Sequence, residues 1–560
     1  VRPPTFVTIA TADRAAQSRV LARSARACHA DARLAVLVLA PEGARALFEG
    51  TFDVVVTAEE LSVPCFADMR FRYSTPELCF ALKPWIIGHL FNCFADSAIY
   101  YFDSDIEIFG PLVEAEVELA RGANLLLSAH ILRPAPDQAS EEALLRSGTF
   151  NGGFLAVAPT AEGRAFVAWW RDRLRTGCTL EATCGDQRWL DLAPAMFDGV
   201  AILRHRGYNF AFWNAHERPL VLGDGGWSVE GEPLRFVHYT KWNLREQSWQ
   251  QYLAQYFSGD HRSISPLFAE YQDKVWRESR PGEESPWSEG EVLAPRGKAV
   301  PPVVRAAYAR HGPSLDGDAD AVFAHAVAVL NEPSKSRADL PVPVTLLYDE
   351  TWQRQAHLRD GFDIDRVTGR LDYLRWLGAF GATELGIPHE FLTLARSALD
   401  DGWARQFDVA ITAGLPSNER SEIGEVAAEW LPIVSVGSAG ERGAAGISAK
   451  PDHSGHIIFG PYARLGPGSY RVQLRCSSAQ SSAVVPGGRP AAVIEAVAHH
   501  GRHYLAQHEL SAADCRVPVH ELHFRVGPAP LLAIEVRVWT SGTVPLTVTS
   551  IRVERLPAGQ

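Results

Sequence analysis

Basic residues are a minority in this chain. Its 54 Lys and Arg face 66 Asp and Glu, a formal charge of −12, and a field of that sign opposes sequence-independent attraction to nucleic acid phosphates. No nucleic acid partner is expected. Cysteine is sparse as well: Cys28, Cys65, Cys79, Cys93, Cys178, Cys184, Cys476 and Cys515 are scattered over 560 residues with no C-x-x-C pair. That spacing excludes the dense disulfide framework of small secreted domains and paired zinc knuckles, and it favours a reducing compartment. No uninterrupted apolar run approaches the ~20 residues of a membrane-spanning helix. Residues 1–9 lack a charged segment leading into a long apolar one, so no signal peptide is expected. These absences predict a soluble protein of the cytoplasm, at most peripheral at the inner face of a membrane.

Hydrophobic residues make up 46% of the chain, enough for real cores, and its length predicts two to four domains. Residues 6–257 alternate short apolar runs with helix-like stretches, the pattern of a mainly parallel α/β sheet. The turn-forming run Ser279-Arg280-Pro281-Gly282-Glu283-Glu284-Ser285-Pro286 reads as a linker. Apolar residues at helical spacing follow, and from about Ile447 the texture changes to strict alternation, as in Tyr470-Arg471-Val472-Gln473-Leu474 and Ile534-Glu535-Val536-Arg537-Val538. The expected organisation is a catalytic α/β domain over 1–260, a linker over 261–300, a helical appendage over 301–400, a connecting segment over 401–446 and an antiparallel β-sandwich over 447–560.

The segment richest in chemistry is Ala98-Ile99-Tyr100-Tyr101-Phe102-Asp103-Ser104-Asp105-Ile106. An apolar strand there delivers two carboxylates to its C-terminal edge, where open α/β sheets place ligands. Hard carboxylate oxygens suit Mg²⁺ or Mn²⁺, which keep positions open for phosphate oxygens. A lone D-x-D also fits two surface carboxylates in a turn. Three further segments follow it in order: Phe150-Asn151-Gly152-Gly153-Phe154, whose glycines let backbone approach a ligand closely, then Asp186-Gln187-Arg188-Trp189, then Val237-His238-Tyr239-Thr240-Lys241-Trp242.

In this order of strand-D-x-D, F-N-G-G-F, D-Q and a late His, residues 6–242 resemble the family-8-like glycosyltransferases with the GT-A fold, a Rossmann-like architecture. The resemblance implies a nucleotide-sugar donor, UDP by family habit, a glycan or lipid-linked saccharide acceptor, and retention at the anomeric carbon. It implies metal ligation by Asp103, Asp105 and His238, with Mn²⁺ or Mg²⁺ as cofactor. Thr8, Ile9 and Ala10 fall where such enzymes begin to cradle the nucleoside, with Asp13 close behind. Lys83 matches a basic residue facing donor phosphates, beside Ser104, Gly152 and Gly153 in the donor site. Asn151, Asp186 and Gln187 bracket the transferred sugar, as groups able to fix hydroxyls or stabilise a carbocation-like centre. Asp186 either orients the acceptor or caps the helix that follows it. The late run departs from the H-x-x-G-x-x-K-P-W of the family, so Lys241 receives no phosphate role.

Ser128-Ala129-His130 and the run from Tyr208 through Trp213 and His216 to Arg218 look like motifs of bacterial members, while Trp169 and Trp170 read as packing. In the sandwich, Gly460-Pro461-Tyr462 through Gly468-Ser469-Tyr470 resembles a strand-turn-strand of carbohydrate-binding modules. Either it docks glycan, or Tyr462, Tyr470 and Trp539 build the core of a structural or oligomerisation module. The leading expectation is sugar transfer in bacterial surface polysaccharide synthesis. A non-catalytic glycan-binding protein and a metal-dependent nucleotidyltransferase or phosphohydrolase stay open beside it.

Overall fold

The computed structural model describes residues 3–39, 44–258, 261–280, 283, 299–400, 428–429, 431, 434–450, 453–465, 468–478, 490–498, 503–526 and 531–556. The chain divides into two compact units, residues 1–300 with 312–325, and residues 301–311 with 326–560. The stretch 301–400 therefore contributes to both.

In the first unit the strands are β1 (Thr5–Thr11), β2 (Arg33–Leu39), β3 (Val54–Thr57), β4 (Ile99–Phe102), β5 (Ile106–Ile108), β6 (Leu125–Ala129), β7 (Phe150–Val157) and β8 (Val200–Leu203). Seven of them form one sheet in the order β3-β2-β1-β4-β7-β6-β8. Neighbours run parallel except β7, which is antiparallel to both β4 and β6. All seven residues of β1 are buried, and successive side chains serve opposite faces. Val7 and Ile9 join Ile99 and Tyr101 in one core, while Phe6 and Ala10 join Tyr100 and Phe102 in the other. A sheet covered on both faces accounts for strands that read as continuous apolar runs. This is an α/β domain with a mainly parallel sheet, as the sequence predicts.

The short β5 leaves that sheet and pairs antiparallel with Phe236–His238, placing His238 opposite Ile106 and Phe236 opposite Ile108. Two segments some 130 residues apart are thereby joined at the end of β4.

Part of the stretch expected as linker is ordered. Ser265–Glu278 is a helix that buries Leu267, Phe268, Tyr271 and Val275, and Tyr271 stacks on Tyr239 at 3.6 Å between ring centroids. Its apolar residues fall at helical spacing, a signal masked by the turn-rich residues after it. Residues 284–298 lie outside the described residues.

The second unit holds the helices Pro302–His311, Leu346–Arg354, Ala356–Gly361 and Val367–Glu384 together with two antiparallel sheets. One runs Gly440–Gly443, Gly446–Ala449, Thr547–Leu556, Gly468–Ser477, Val519–Val526; the other runs Ser435–Val436, Gly455–Phe459, Leu531–Thr540, Ala492–Ala498, His503–Leu510. Val472 and Leu474 of the first meet Ile494, Val536 and Val538 of the second in a shared core, the sandwich expected from alternation. It begins before residue 447: the Gly- and Ser-rich run read as a connector supplies strands, because a Cβ on Gly440 would lie 2.2 Å from the Ile457 carbonyl oxygen. Residues 401–427 of that expected connector lie outside the described residues. Tyr470 is buried and stacks on Phe524 at 5.6 Å; Trp539 is half-buried, and the Tyr462 side chain lies outside the described residues. Among the described residues no helix is long and apolar enough to cross a membrane.

Candidate active site

β4 ends at Phe102, and the next backbone N–H, that of Asp103, donates to the Gly153 carbonyl at 2.8 Å. The turn through Ser104 brings Asp105 round to the start of β5, whose partner strand carries His238. One ligand atom from each of Asp103, Asp105 and His238 lies within 4.8 Å of the others. His238 Nε2 is 3.2 Å from Asp105 Oδ1 and 3.8 Å from Asp103 Oδ2.

The hydrogen bonds behind these atoms settle which His238 nitrogen is free. The Gly152 N–H donates to Gln187 Oε1 at 3.0 Å, and the Gly153 N–H donates to Asn151 Oδ1 at 3.1 Å. A backbone N–H can only donate, so both amides are oriented. Asn151 Oδ1 then faces His238 Nδ1 at 3.2 Å, which must carry the proton, and Asn151 Nδ2 donates to Gln187 Oε1 at 3.1 Å. His238 Nε2 is left facing the carboxylates, where it can carry a proton or offer its lone pair to a metal. An acceptor on the remote ring nitrogen is the usual device for orienting a metal-binding imidazole. Asn151 Nδ2 also faces His130 Nε2 at 3.4 Å. His130 is buried, and burial pushes its pKa down to about 4, so it accepts there and donates from Nδ1 to the Thr149 carbonyl at 3.3 Å.

Burial pulls the His238 pKa down, but Asp105 and Asp103 outweigh it and hold the imidazole above its ordinary value. Burial likewise opposes ionisation of Asp105, and His238 with Arg14 outweighs it and holds the carboxyl below its ordinary value. A proton on Nε2 thus supplies the positive charge that the carboxylates demand, and a divalent cation fits the same place. The donor set of two carboxylates and one imidazole suits Mn²⁺ and Mg²⁺, with the nitrogen favouring Mn²⁺.

The two glycines of F-N-G-G-F make room for side chains. A Cβ on Gly153 would lie 2.4 Å from His238 Cε1 and 2.9 Å from Asp103 Oδ2; one on Gly152 would lie 2.7 Å from Asp186 Oδ2. Lys83, in the helix Thr75–Cys93 that begins with a Ser74–Glu77 capping box, is 1% exposed. Its Nζ donates to the Gly152 carbonyl at 2.8 Å and pairs with Asp186 Oδ2 at 3.0 Å and Asp103 Oδ1 at 3.3 Å. One hydrogen bond to backbone and two ion pairs thus tie Asp103 to Asp186 through the Lys83 ammonium. Burial pushes the Asp186 carboxyl up to about 6, with Lys83 acting against the rise and Asp103 adding to it. Gln187 spends its oxygen on Asn151 and Gly152 and donates from Nε2 to the Ser147 carbonyl at 2.7 Å.

Lys83, Asp103, Asp105, Asn151, Gly152, Gly153, Asp186, Gln187 and His238 are thus brought together. The first-strand residues are placed differently: Ile9 and Ala10 point into the two cores, and Thr8 is buried. Asp13 accepts from the Thr11 hydroxyl and lies 3.6 Å from Arg14. The sequence reading missed Tyr101, whose hydroxyl donates to Asp103 Oδ1 at 2.9 Å; its place two residues before Asp103, on the same strand face, was the available signal. It also missed Arg14, which acts on Asp105 through its charge.

Lys83, Asp103, Asn151, Gly152, Gly153, Asp186, Gln187 and His238 border a cavity of about 920 Å³ whose lining extends to Trp213, Lys241 and His261. Trp213 stands edge-on to His130 at 5.2 Å and to His238 at 5.5 Å. Lys241, with φ +63°, places Nζ 5.5 Å from the Phe212 ring centroid.

No family model matches the chain. It is similar to the uncharacterized protein YfnD of Bacillus subtilis (strain 168), 27% identical over 222 residues that span 39% of this chain and 70% of that protein. Among solved structures it is similar to the galactosyltransferase LgtC in complex with donor and acceptor sugar analogs, at a TM-score of 0.33 and 15% identity over 50% of this chain and 98% of that one. It is also similar to the C-terminal CBM6 of LamC, a laminarinase of Zobellia galactanivorans, at a TM-score of 0.17 and 12% identity over 23% of this chain and 98% of that one. Likeness at these levels carries no activity across.

Proposed function

We propose that the first unit is a metal-dependent glycosyltransferase that moves a sugar from a nucleotide-diphosphate sugar to a glycan or glycolipid acceptor. The observation that carries this reading is the convergence of Asp103, Asp105 and Nε2 of His238 within 4.8 Å, beside a cavity of about 920 Å³. Asp103, Asp105 and His238 would hold Mn²⁺ or Mg²⁺, which offsets the charge of a departing diphosphate when bound.

The remaining groups have matching tasks. Asn151 presents the His238 lone pair to the metal position and so acts through that ring. Gln187 holds Asn151 and the Gly152 backbone in place. Asp186, braced by Lys83 at 3.0 Å, is the carboxylate beyond the metal set that can accept from a sugar hydroxyl. In the transfer, the bond from the anomeric carbon to the donor phosphate oxygen breaks with its electrons going to that oxygen. The acceptor hydroxyl oxygen bonds to the anomeric carbon and its proton passes to the departing phosphate. Retention, a UDP-sugar donor that meets the C-terminal end of β1 near Thr8, Ile9, Ala10 and Asp13, and a hexosyl group are the finer parts of the proposal. A cytoplasmic enzyme of bacterial surface polysaccharide synthesis, working at or near the membrane, is the setting that fits it.

The test is Asp105→Ala in the intact chain, with nucleotide release from a panel of UDP-sugars measured with and without Mn²⁺. Loss of a carboxylate from the metal set should lower the Mn²⁺-dependent rate on the order of 10²-fold or more, with circular dichroism unchanged. Full activity in that variant would overturn the assignment.

A further inference from the structure

The second unit contains a cavity that the transfer reading does not use. It measures about 500 Å³ and lies where the Val367–Glu384 helix crosses the outer face of a sandwich sheet. The outer face of a sheet of this kind normally meets water, and its side chains are correspondingly polar. Here charged groups on that face are covered. Glu535 is 1% exposed, and Arg537 and Glu495 are 8% exposed.

These groups form an ordered floor. Arg537 donates to Glu535 through Nε and Nη2, each at 3.0 Å, a two-point pairing that fixes both planes. Glu495 stands directly across the ladder from Arg537, with its Oε1 at 3.9 Å from Arg537 Nη1 and 3.8 Å from His456 Nε2. The opposite wall is aromatic. Trp376 and Phe380, one turn apart on the helix, have ring centroids 6.5 Å apart, and the Arg537 guanidinium sits 5.5 Å from the Phe380 centroid. Glu384, Ser438 and His456 stand at the mouth as exposed or half-buried polar groups.

We propose that this cavity is a binding site for a neutral saccharide. Such a ligand has an apolar C–H face, which suits an aromatic wall, and a rim of hydroxyls, which suits fixed carboxylate, guanidinium and imidazole partners. The enclosed volume matches one or two pyranose rings. Two lining carboxylates (Glu384 and Glu535), with Glu495 across the ladder from Arg537, stand against the Arg537 guanidinium, which is already paired, and the imidazoles of His357 and His456. That balance repels phosphates and uronates, so a nucleotide or an acidic sugar does not fit. The proposal is independent of sugar transfer in the first unit and of the loop ends of the sandwich.

The test is saturation-transfer NMR and calorimetric titration of the intact chain with maltose, cellobiose, lactose and N,N′-diacetylchitobiose up to about 20 mM, with glucuronate as the acidic probe. At least one neutral disaccharide should saturate with a Kd of about 0.1–10 mM. Phe380→Ala should weaken it by roughly ten-fold or more, and Asp105→Ala should leave it unchanged. Ser438→Trp, at an exposed mouth position, should block the site without touching the core and so decides the matter if Phe380→Ala fails to fold. Four outcomes overturn the proposal: no neutral saccharide binding over that range, binding indifferent to Phe380→Ala and Ser438→Trp, binding lost in Asp105→Ala, or glucuronate binding as well as the neutral sugars.

Discussion

Replacing Gly153 by alanine adds one methyl group at the tightest point of the proposed metal site. That carbon would lie 2.4 Å from His238 Cε1, 2.8 Å from Asn151 Oδ1 and 2.9 Å from Asp103 Oδ2, all three inside contact distance. The imidazole cannot retreat cheaply, because it is 3% exposed, held through Nδ1 by Asn151 and flanked by Trp213. Overpacking of this kind costs roughly 1–3 kcal/mol, which for a unit of this size lowers Tm by a few degrees. The larger effect falls on the metal: moving His238 and Asp103 apart should weaken Mn²⁺ by about 10–100-fold, the range for lost orientation of a ligand. Gly152→Ala is the internal comparison. Its new methyl meets the Asp186 carboxylate first, at 2.7 Å, and should cost stability while leaving Mn²⁺ affinity closer to that of the unaltered chain. Urea unfolding and Mn²⁺-induced shifts in melting temperature measure both quantities. A Gly153→Ala protein with unchanged stability and unchanged Mn²⁺ affinity would refute the assignment of Gly153 as the residue that makes room for the metal ligands.

Asn151→Ala removes the acceptor on His238 Nδ1 and one anchor of Gln187; Mn²⁺ affinity should fall about 10–100-fold with the fold retained, as read by titration calorimetry. In the second unit, burial pushes the Asp372 carboxyl up to about 7, with Arg375 acting against the rise and Glu535 adding to it. A raised folded-state value means that the neutral form is favoured on folding, so this contribution is full below about pH 4 and is lost as pH rises toward 7. The gap corresponds to at most roughly 4 kcal/mol, less in practice because the side chain keeps 24% of its exposure. Asp372→Asn should therefore match the unaltered chain near pH 3 and exceed it in urea resistance near pH 8; equal stability at pH 8 would count against the shift.

The fold was legible wherever burial writes a period into the sequence. β1, buried on both faces, reads as an apolar run, and the sandwich strand Gly468–Ser477 alternates because one face is core. Two stretches misled because turn-forming composition was taken for absence of structure. In Ser265–Glu278 the apolar spacing of Leu267, Phe268, Tyr271 and Val275 was present but lay beside a Pro- and Gly-rich run. At Gly440 the glycine meets a steric demand of strand packing, a backbone oxygen 2.2 Å from where a Cβ would sit, and a glycine needed for close approach looks the same in sequence as one needed for a turn.

The candidate site divides along the same line. Asp103 and Asp105 were legible because two carboxylates at the end of an apolar strand have few structural uses, and His238 because its strand leads to it. The pairing of β5 with Phe236–His238 was not, since a three-residue antiparallel contact leaves no periodic trace. The roles of Asn151 and Gln187 were not legible either, because residue type alone does not say where an amide spends its hydrogen bonds. In the structure those bonds run from two glycine N–H groups through two side-chain amides to one imidazole. Backbone donors have no alternative polarity, so the orientation they impose is passed on unchanged, and the last member, His238, turns Nδ1 to Asn151 and Nε2 to the carboxylates. The F-N-G-G-F motif is therefore part of the proposed metal site twice over: its missing side chains give His238 and Asp186 their space, and its N–H groups decide which nitrogen His238 turns to Asn151.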